Sequence, residues 1–349
     1  MSLPTPKANA MADNRTTMEL GAVLPATATV QDTHLFIGGV DMVELAHQQG
    51  TALYVYDEED LRERMRAYRS SFNRLHPNSE VIYASKAFLN KAMARIAAEE
   101  GMSLDVSGGG ELAIARAAGF PADRVYVHGN NKTPEELEEA ITAGVKCIVI
   151  DSRIELARVS QIAERHGITQ DVFMRITPGV EADTHEYIRT GMEDSKFGFT
   201  MRDDFAFKCI DDVLAASHVR LAGIHMHIGS QIFALHSYRE AVAVAVDFIA
   251  RIKKTYDYTI DVLDVGGGVG IAYQASDQPA SIEEFATLVC ESVDEECAKA
   301  GIESLRILCE PGRSIAAIPG VTLYTVGILK TLPGIRKYVA VDGGMSDNI

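Results

Sequence analysis

The sequence predicts an α/β fold: a (β/α)8 barrel of the TIM type, with a second, all-β domain assembled from segments at the two ends of the chain. Three observations predict it. From about residue 80 onward, short apolar runs alternate with amphipathic stretches of helical period, as βα units around a parallel sheet require. The runs number eight, the count that closes such a barrel. Each run also begins apolar and turns polar at its C-terminal end, where barrel enzymes assemble their sites from strand termini and the loops that follow.

In chain order, residues 1–30, rich in Ala, Thr, Pro and Asn, read as a flexible tail. Residues 31–56, with HLFIGGV and ALYVYD, read as strands of the β domain. The barrel is assigned to 57–315. Its runs are VIYASKA (81–87), SLDVSGGG (103–110), RVYVHGN (124–130), CIVIDS (147–152), VFMRITP (172–178), LAGIHMHIGS (221–230), IDVLDVGGG (260–268) and RILCEPGR (306–313). Helices between them are expected to start at Asn90, Thr133, Ser152 and Ser281 and to stop at Gly101, Gly144, Gly167 and Gly301, since a side-chain oxygen satisfies the first N–H groups and glycine adopts the left-handed stop. Residues 316–349, with VTLYTVGILKT and KYVAVDGG, read as the start of a C-terminal β domain that looks truncated at Ile349.

At 349 residues, 47% hydrophobic and 23% charged, the composition is that of a globular protein with a sizeable core. A formal net charge of -16 argues against nucleic acid and anionic membrane as partners, because both are held by Lys and Arg neutralising phosphates. A small-molecule substrate is the default. Five scattered cysteines without a CxxC pair read as reduced thiols in a cytoplasmic protein. No apolar run reaches the roughly 18 residues of a membrane span.

Four strand ends carry chemistry. Lys86 interrupts a buried strand; it is either a nucleophilic amine with a pKa lowered toward neutrality, suited to attack on a carbonyl, or a structural lysine paired with Asp105 or Asp264. The run Gly266, Gly267, Gly268 can cradle a phosphate with backbone N–H groups, whereas Gly108–Gly110 reads equally as a tight turn. His225 and His227 share one strand face; with His128 and His185 they raise a metal-hydrolase alternative, but nothing fixes a ligand spacing, and no metal is assigned. A flat imidazole can instead stack on a cofactor ring, with Ser230 reaching a phosphate. Glu310 can hold a proton on a ring nitrogen, and Arg313 can take a phosphate or carboxylate bidentately. An aldehyde, a phosphate, a flat ring and a pyridine nitrogen together specify pyridoxal 5′-phosphate.

With these motifs the sequence resembles the barrel-type, fold III, pyridoxal-phosphate-dependent decarboxylases from about residue 31 to the end, and within them the diaminopimelate branch. YASKA is similar to the family's cofactor-lysine motif, HMHIGSQ to its ring-stacking histidine, DVGGG to its phosphate loop and CEPGR to its pyridinium acid. Those four also suit relatives acting on ornithine, arginine or carboxynorspermidine. RITPGVEADTHEYIRTGMEDSKFGF (175–199) and GNNKT (129–133) are similar to the diaminopimelate branch in particular. The resemblance implies Lys86, His227 and Glu310 as catalytic residues. It implies Lys86, Asp105, His227, Ser230, Gly266, Gly267, Gly268, Glu310, Gly312 and Arg313 as cofactor-binding, and Arg313 also as substrate-binding. The implied activity is that of a carboxy-lyase turning meso-2,6-diaminopimelate into L-lysine and carbon dioxide, in a cytoplasmic homodimer with the active site at the interface. The family's catalytic cysteine and remaining substrate-binding residues are expected beyond Ile349. Two alternatives stay open: another amino-acid decarboxylase of this fold, and a non-catalytic regulatory homologue lacking that acid.

Overall fold

The structure, a computed structural model, describes residues 21–180 and 195–347. The described chain divides into two compact units, one drawn from residues 64–271 and 278–315 and the other from the flanking segments with 272–277.

The larger unit is a closed barrel of eight parallel strands. They are β1 (Ser79–Ala84), β2 (Ser103–Val106), β3 (Val125–Val127), β4 (Cys147–Ile150), β5 (Gln170–Thr177), β6 (Val219–Met226), β7 (Val262–Asp264) and β8 (Arg306–Cys309). Each pairs in parallel with the next, and Cys309 opposite Val81 closes β8 on β1. These strands are buried along nearly their whole length, which is why they read as continuous apolar runs rather than as alternating ones. Ile82, Tyr126, Cys147, Val149, Phe173 and Leu308 form one buried cluster, with the Tyr126 and Phe173 rings 5.7 Å apart. Gly223 makes room for it: a Cβ there would lie 2.7 Å from the Phe173 ring.

Helices follow the strands at Lys91–Glu99, Gly109–Ala118, Pro134–Ala143, Arg153–His166, His236–Tyr256 and Ile282–Ala300. Their ends follow the expected chemistry. Asn90 and Ser152 accept the first N–H groups, Thr133 and Ser281 form reciprocal capping boxes with Glu136 and Glu284, and Gly144, Gly167 and Gly301 take the left-handed stop. The apolar face of His236–Tyr256 buries Val242, Val246, Phe248, Ile249 and Ile252, each contributing roughly 1.5–3 kcal/mol of transfer free energy. Gly109 and Gly110 form the first turn of a helix, so the second glycine run is a helix start rather than a tight turn.

In the smaller unit, Leu53–Tyr56 pairs antiparallel with Gly320–Leu323, and Val326–Leu332 forms a hairpin with Arg336–Val341. Strand pairing already begins at Thr29, inside the segment read as a tail, where Thr29–Gln31 pairs with His34–Ile37. The unit is not purely β: Met42–Gln49 is a helix whose N-cap Asp41 accepts from Val43 and Glu44, a capping signal the β-pattern reading passed over. Residues 1–20 and His185 lie outside the described residues. Among the described residues, no helix is long and apolar enough to cross a membrane.

Candidate active site

The polar ends of the eight strands meet at one end of the barrel. Lys86 sits in a 3-10 turn, Ser85–Ala87, directly after β1. Its side chain is half exposed, and Nζ lies 3.0 Å from Oδ2 of the fully buried Asp105 on β2. Of the two partners the sequence offered, Asp105 rather than Asp264 makes the contact. Nor is the ammonium lowered toward neutrality: burial pushes it down, but the Asp105 and Glu310 carboxylates more than offset that and hold it above the ordinary lysine value.

Glu310, just past β8, is buried and lies between two imidazoles. His225 Nε2 on β6 is 3.1 Å from Oε2, and His128 Nε2 after β3 is 2.7 Å from Oε1. The two rings pack edge to face at 5.0 Å. Burial alone would raise the Glu310 carboxyl; the two imidazoles hold it well below the usual range. Asp264 on β7 is opposite in sense, its carboxyl raised well above the usual range first by burial and then by the Glu310 charge beside it. His128, His225 and Glu310 place one possible metal-ligand atom each within 4.8 Å of one another, with Glu310 2.7 Å from His128 and 3.1 Å from His225, whereas His227, the other histidine of the pair, is not in this set.

His227 lies one residue past the end of β6, so the two histidines read as one strand face serve different neighbours. Its Nδ1 accepts the N–H of Gly267 at 3.2 Å. Burial and the nearby Lys86 and Arg175 charges keep the ring neutral, well below the ordinary value.

The glycine run is a close-packed turn. Gly266 N–H donates to Asp264 Oδ1 at 2.9 Å, and Glu310 N–H donates to the Gly266 carbonyl at 2.8 Å. A Cβ on Gly267 would lie 2.0 Å from the Glu310 carbonyl oxygen, and one on Gly268, at φ +113, would lie 2.1 Å from the Gly229 carbonyl oxygen. Only glycine lets the ends of β6, β7 and β8 approach so closely. Two of the three N–H groups expected to cradle a phosphate are thus engaged within the protein. Ser230 and Arg313 do come together, with Arg313 Nη2 donating to Ser230 Oγ at 3.2 Å. Gly312 packs on β1, where a Cβ would lie 3.0 Å from that of Ala84.

Sequence reasoning gave no role to several residues that build this end of the barrel. Tyr238 is buried in helix His236–Tyr256 and donates its hydroxyl to the Gly267 carbonyl at 2.9 Å, but its spacing marks it only as core. Arg175 on β5 is buried 4.0 Å from Asp151 and stacks on Phe197 at 4.4 Å; both residues lie in the 175–199 motif, of which residues 181–194 are outside the described residues. Lys132 of GNNKT is a buried structural lysine, paired with Glu155 at 2.5 Å and donating to the Val149 carbonyl at 2.9 Å. At the opposite end of the barrel, a cavity of about 190 Å³ is lined by Lys146, Asp171, Arg220, Asp261 and Arg306. The bidentate Arg220–Asp171 pair there reads as stabilising, since barrel chemistry sits at the other face.

A closed parallel barrel carrying a lysine, a buried acid and a neutral histidine at its C-terminal end defines the class of barrel-type pyridoxal-dependent decarboxylases. Residues 58–317 match the family model described as pyridoxal-dependent decarboxylase, pyridoxal binding domain. The chain is 46% identical to diaminopimelate decarboxylase of Bacillus subtilis over 91% of its own length and 73% of that protein's, and 43% identical to that of Bacillus methanolicus over 90% and 73%. The crystal structure of the M. jannaschii diaminopimelate decarboxylase in co-complex with L-lysine superposes with a TM-score of 0.86 at 34% identity, covering 92% of this chain and 74% of that one. The chain belongs to the pyridoxal-dependent decarboxylase family, on its diaminopimelate decarboxylase branch.

Proposed function

We infer that this chain decarboxylates meso-2,6-diaminopimelate at its D centre to L-lysine and carbon dioxide, with pyridoxal 5′-phosphate as cofactor. The observation that carries the reading is the convergence of Lys86, Asp105, His227, Ser230, Glu310 and Arg313 at one end of one barrel. The choice of substrate rests on relatives at 43% and 46% identity that bear that name.

The residues fit the cofactor. Glu310 Oε1 is buried, and His128 Nε2, though close, is not aligned to donate to it, which leaves a carboxylate acceptor suited to a protonated ring nitrogen. When bound, pyridoxal phosphate supplies an electron sink for the pair left behind by the departing carboxylate. Lys86 Nζ would hold the aldehyde carbon and give way to the substrate amine, and Asp105, 3.0 Å away, is placed to exchange the proton this requires. Glu310 would keep a proton on the ring nitrogen. His227, neutral and oriented by the Gly267 N–H, would offer an uncharged plane to the ring. Ser230 and Arg313, already joined, would hold the phosphate, and Arg313 would also take a substrate carboxylate. Gly266, Gly267, Gly268 and Gly312 keep side chains out of the loops that carry these groups.

The protein is proposed to act as a cytoplasmic homodimer with the site at the interface, taking an amino acid and neither nucleic acid nor membrane. Five buried free cysteines suit a reducing compartment, and the exposed apolar hairpin Val326–Leu332/Arg336–Val341 suits self-association. The test is turnover by the cofactor-loaded protein. Preference for meso-diaminopimelate over ornithine and arginine by ~10² or more is expected, with loss of roughly 10³-fold in Lys86→Ala. Turnover of ornithine without turnover of diaminopimelate would sink the assignment.

A further inference from the structure

Glu310 is faced from every neighbouring strand: by Lys86 after β1, Asp105 on β2, His128 after β3, Arg175 on β5, His225 on β6 and Asp264 on β7. Asp264 lies against it, and the two histidines approach its carboxylate oxygens, one at each. His225 Nε2 donates to Oε2 at 3.1 Å, so its Nδ1 carries no proton, consistent with a buried Nδ1 that has no hydrogen-bond partner. His128 Nε2 stands 2.7 Å from Oε1 and 4.0 Å from Asp105, between the acid of the ring nitrogen and the partner of Lys86. Barrel register supports the arrangement: His225 is the direct strand partner of Asp264, and Asp264 that of Leu308, two residues before Glu310.

We propose that His128 and His225 are positioning residues that keep Glu310 ionised, His225 fixing Oε2 by a hydrogen bond and His128 packing 2.7 Å from Oε1, so that the proton shared between Glu310 and the cofactor's pyridine nitrogen resides on the ring. The physical argument concerns acidity. A carboxylate enclosed in protein without donors regains its proton, because burial penalises the charged form. A protonated Glu310 would merely donate a hydrogen bond to a neutral ring, which is a weaker electron sink. The His225 N–H donated to the carboxylate, with the His128 imidazole against its other oxygen, favours the anion and so pushes the proton onto the ring. Asp264 complements this: burial and the Glu310 charge raise its carboxyl well above the usual range, which disfavours a second buried charge, and one of its oxygens accepts the Gly266 N–H and shapes the loop.

The proposal rests on the cofactor assignment above, and the test separates the two. The protein is loaded with pyridoxal phosphate labelled with 15N in the ring, and the resonance is compared among wild type, Glu310→Gln as the neutral-ring reference, His128→Leu, His225→Leu, and the conservative His128→Gln and His225→Gln, which keep an N–H donor. The expected result is a protonated ring in wild type and in the Gln variants. Each Leu variant should shift toward the Glu310→Gln position, with kcat lowered roughly 10²-fold. A ring that remains fully protonated in the Leu variants overturns the proposal. Should a Leu variant fail to fold, the other decides by the same resonance. A wild type that takes up no cofactor overturns the cofactor assignment, and the proposal falls with it.

Discussion

His225 is enclosed near the end of β6, and burial lowers its imidazole from 6.5 to about 4 even though the Glu310 carboxylate pulls the other way. The folded protein therefore binds this proton less readily than the unfolded chain does. Stability contributed here is present above pH 6.5 and falls as the pH drops through 6.5 toward 4, by about 3 kcal/mol for this group. Glu310 acts in the same direction, because its depressed carboxyl stabilises the fold above the unfolded value and loses that stability on protonation. Asp264 acts oppositely, since its raised carboxyl is more easily borne at low pH. Urea midpoints measured between pH 7 and 4 are expected to fall, and to fall less steeply in His225→Gln; parallel curves for the two proteins would contradict this account. Lys86 and Glu310 were legible in the sequence because each ends an apolar run with a charge that the run does not explain. The His225–Glu310 contact was not, because it depends on which strands become neighbours when the barrel closes.

The turn from β7 carries the tightest packing of the site, and its glycines act through space rather than through donors. Gly267→Ala places a Cβ 2.0 Å from the Glu310 carbonyl oxygen, and no rotamer relieves a clash with backbone. We expect a loss of roughly 1–3 kcal/mol in stability, together with weakened cofactor uptake as Glu310 and His227 shift. Retention of wild-type affinity in a cofactor titration would show that the turn has slack. At this scale the sequence was informative about ends and poor about interiors. Capping oxygens and stop glycines announce helix boundaries because the unsatisfied N–H and C=O groups there demand them. The use of Gly266 and Gly267 N–H groups by Asp264 and His227 was hidden, since it needs the three-dimensional meeting of β6, β7 and β8.

Eight strands, their order and the end that carries the chemistry could all be read from the alternation of runs, because a parallel barrel buries every strand on both faces and leaves polar residues only at its ends. The smaller unit was less legible: short strands and a capped helix, Met42–Gln49, give no long-period signal. Within that unit, Leu329 and Val339 are cross-strand partners and both exposed, the kind of apolar surface a self-associating protein presents. Replacing the pair by Leu329→Glu with Val339→Lys keeps a favourable cross-strand contact while making the face charged. Sedimentation is expected to show dimers in wild type and monomers in the double variant; an unchanged dimer would remove the hairpin from the interface. The central claim, that this barrel end holds pyridoxal phosphate on Lys86, is tested most directly by reducing the cofactor-loaded protein with borohydride and locating the pyridoxyl group by tandem mass spectrometry. The account predicts one stoichiometric modification, on Lys86, absent in Lys86→Ala. Modification of the buried Lys132 or any other lysine in its place, or none at all, would contradict it.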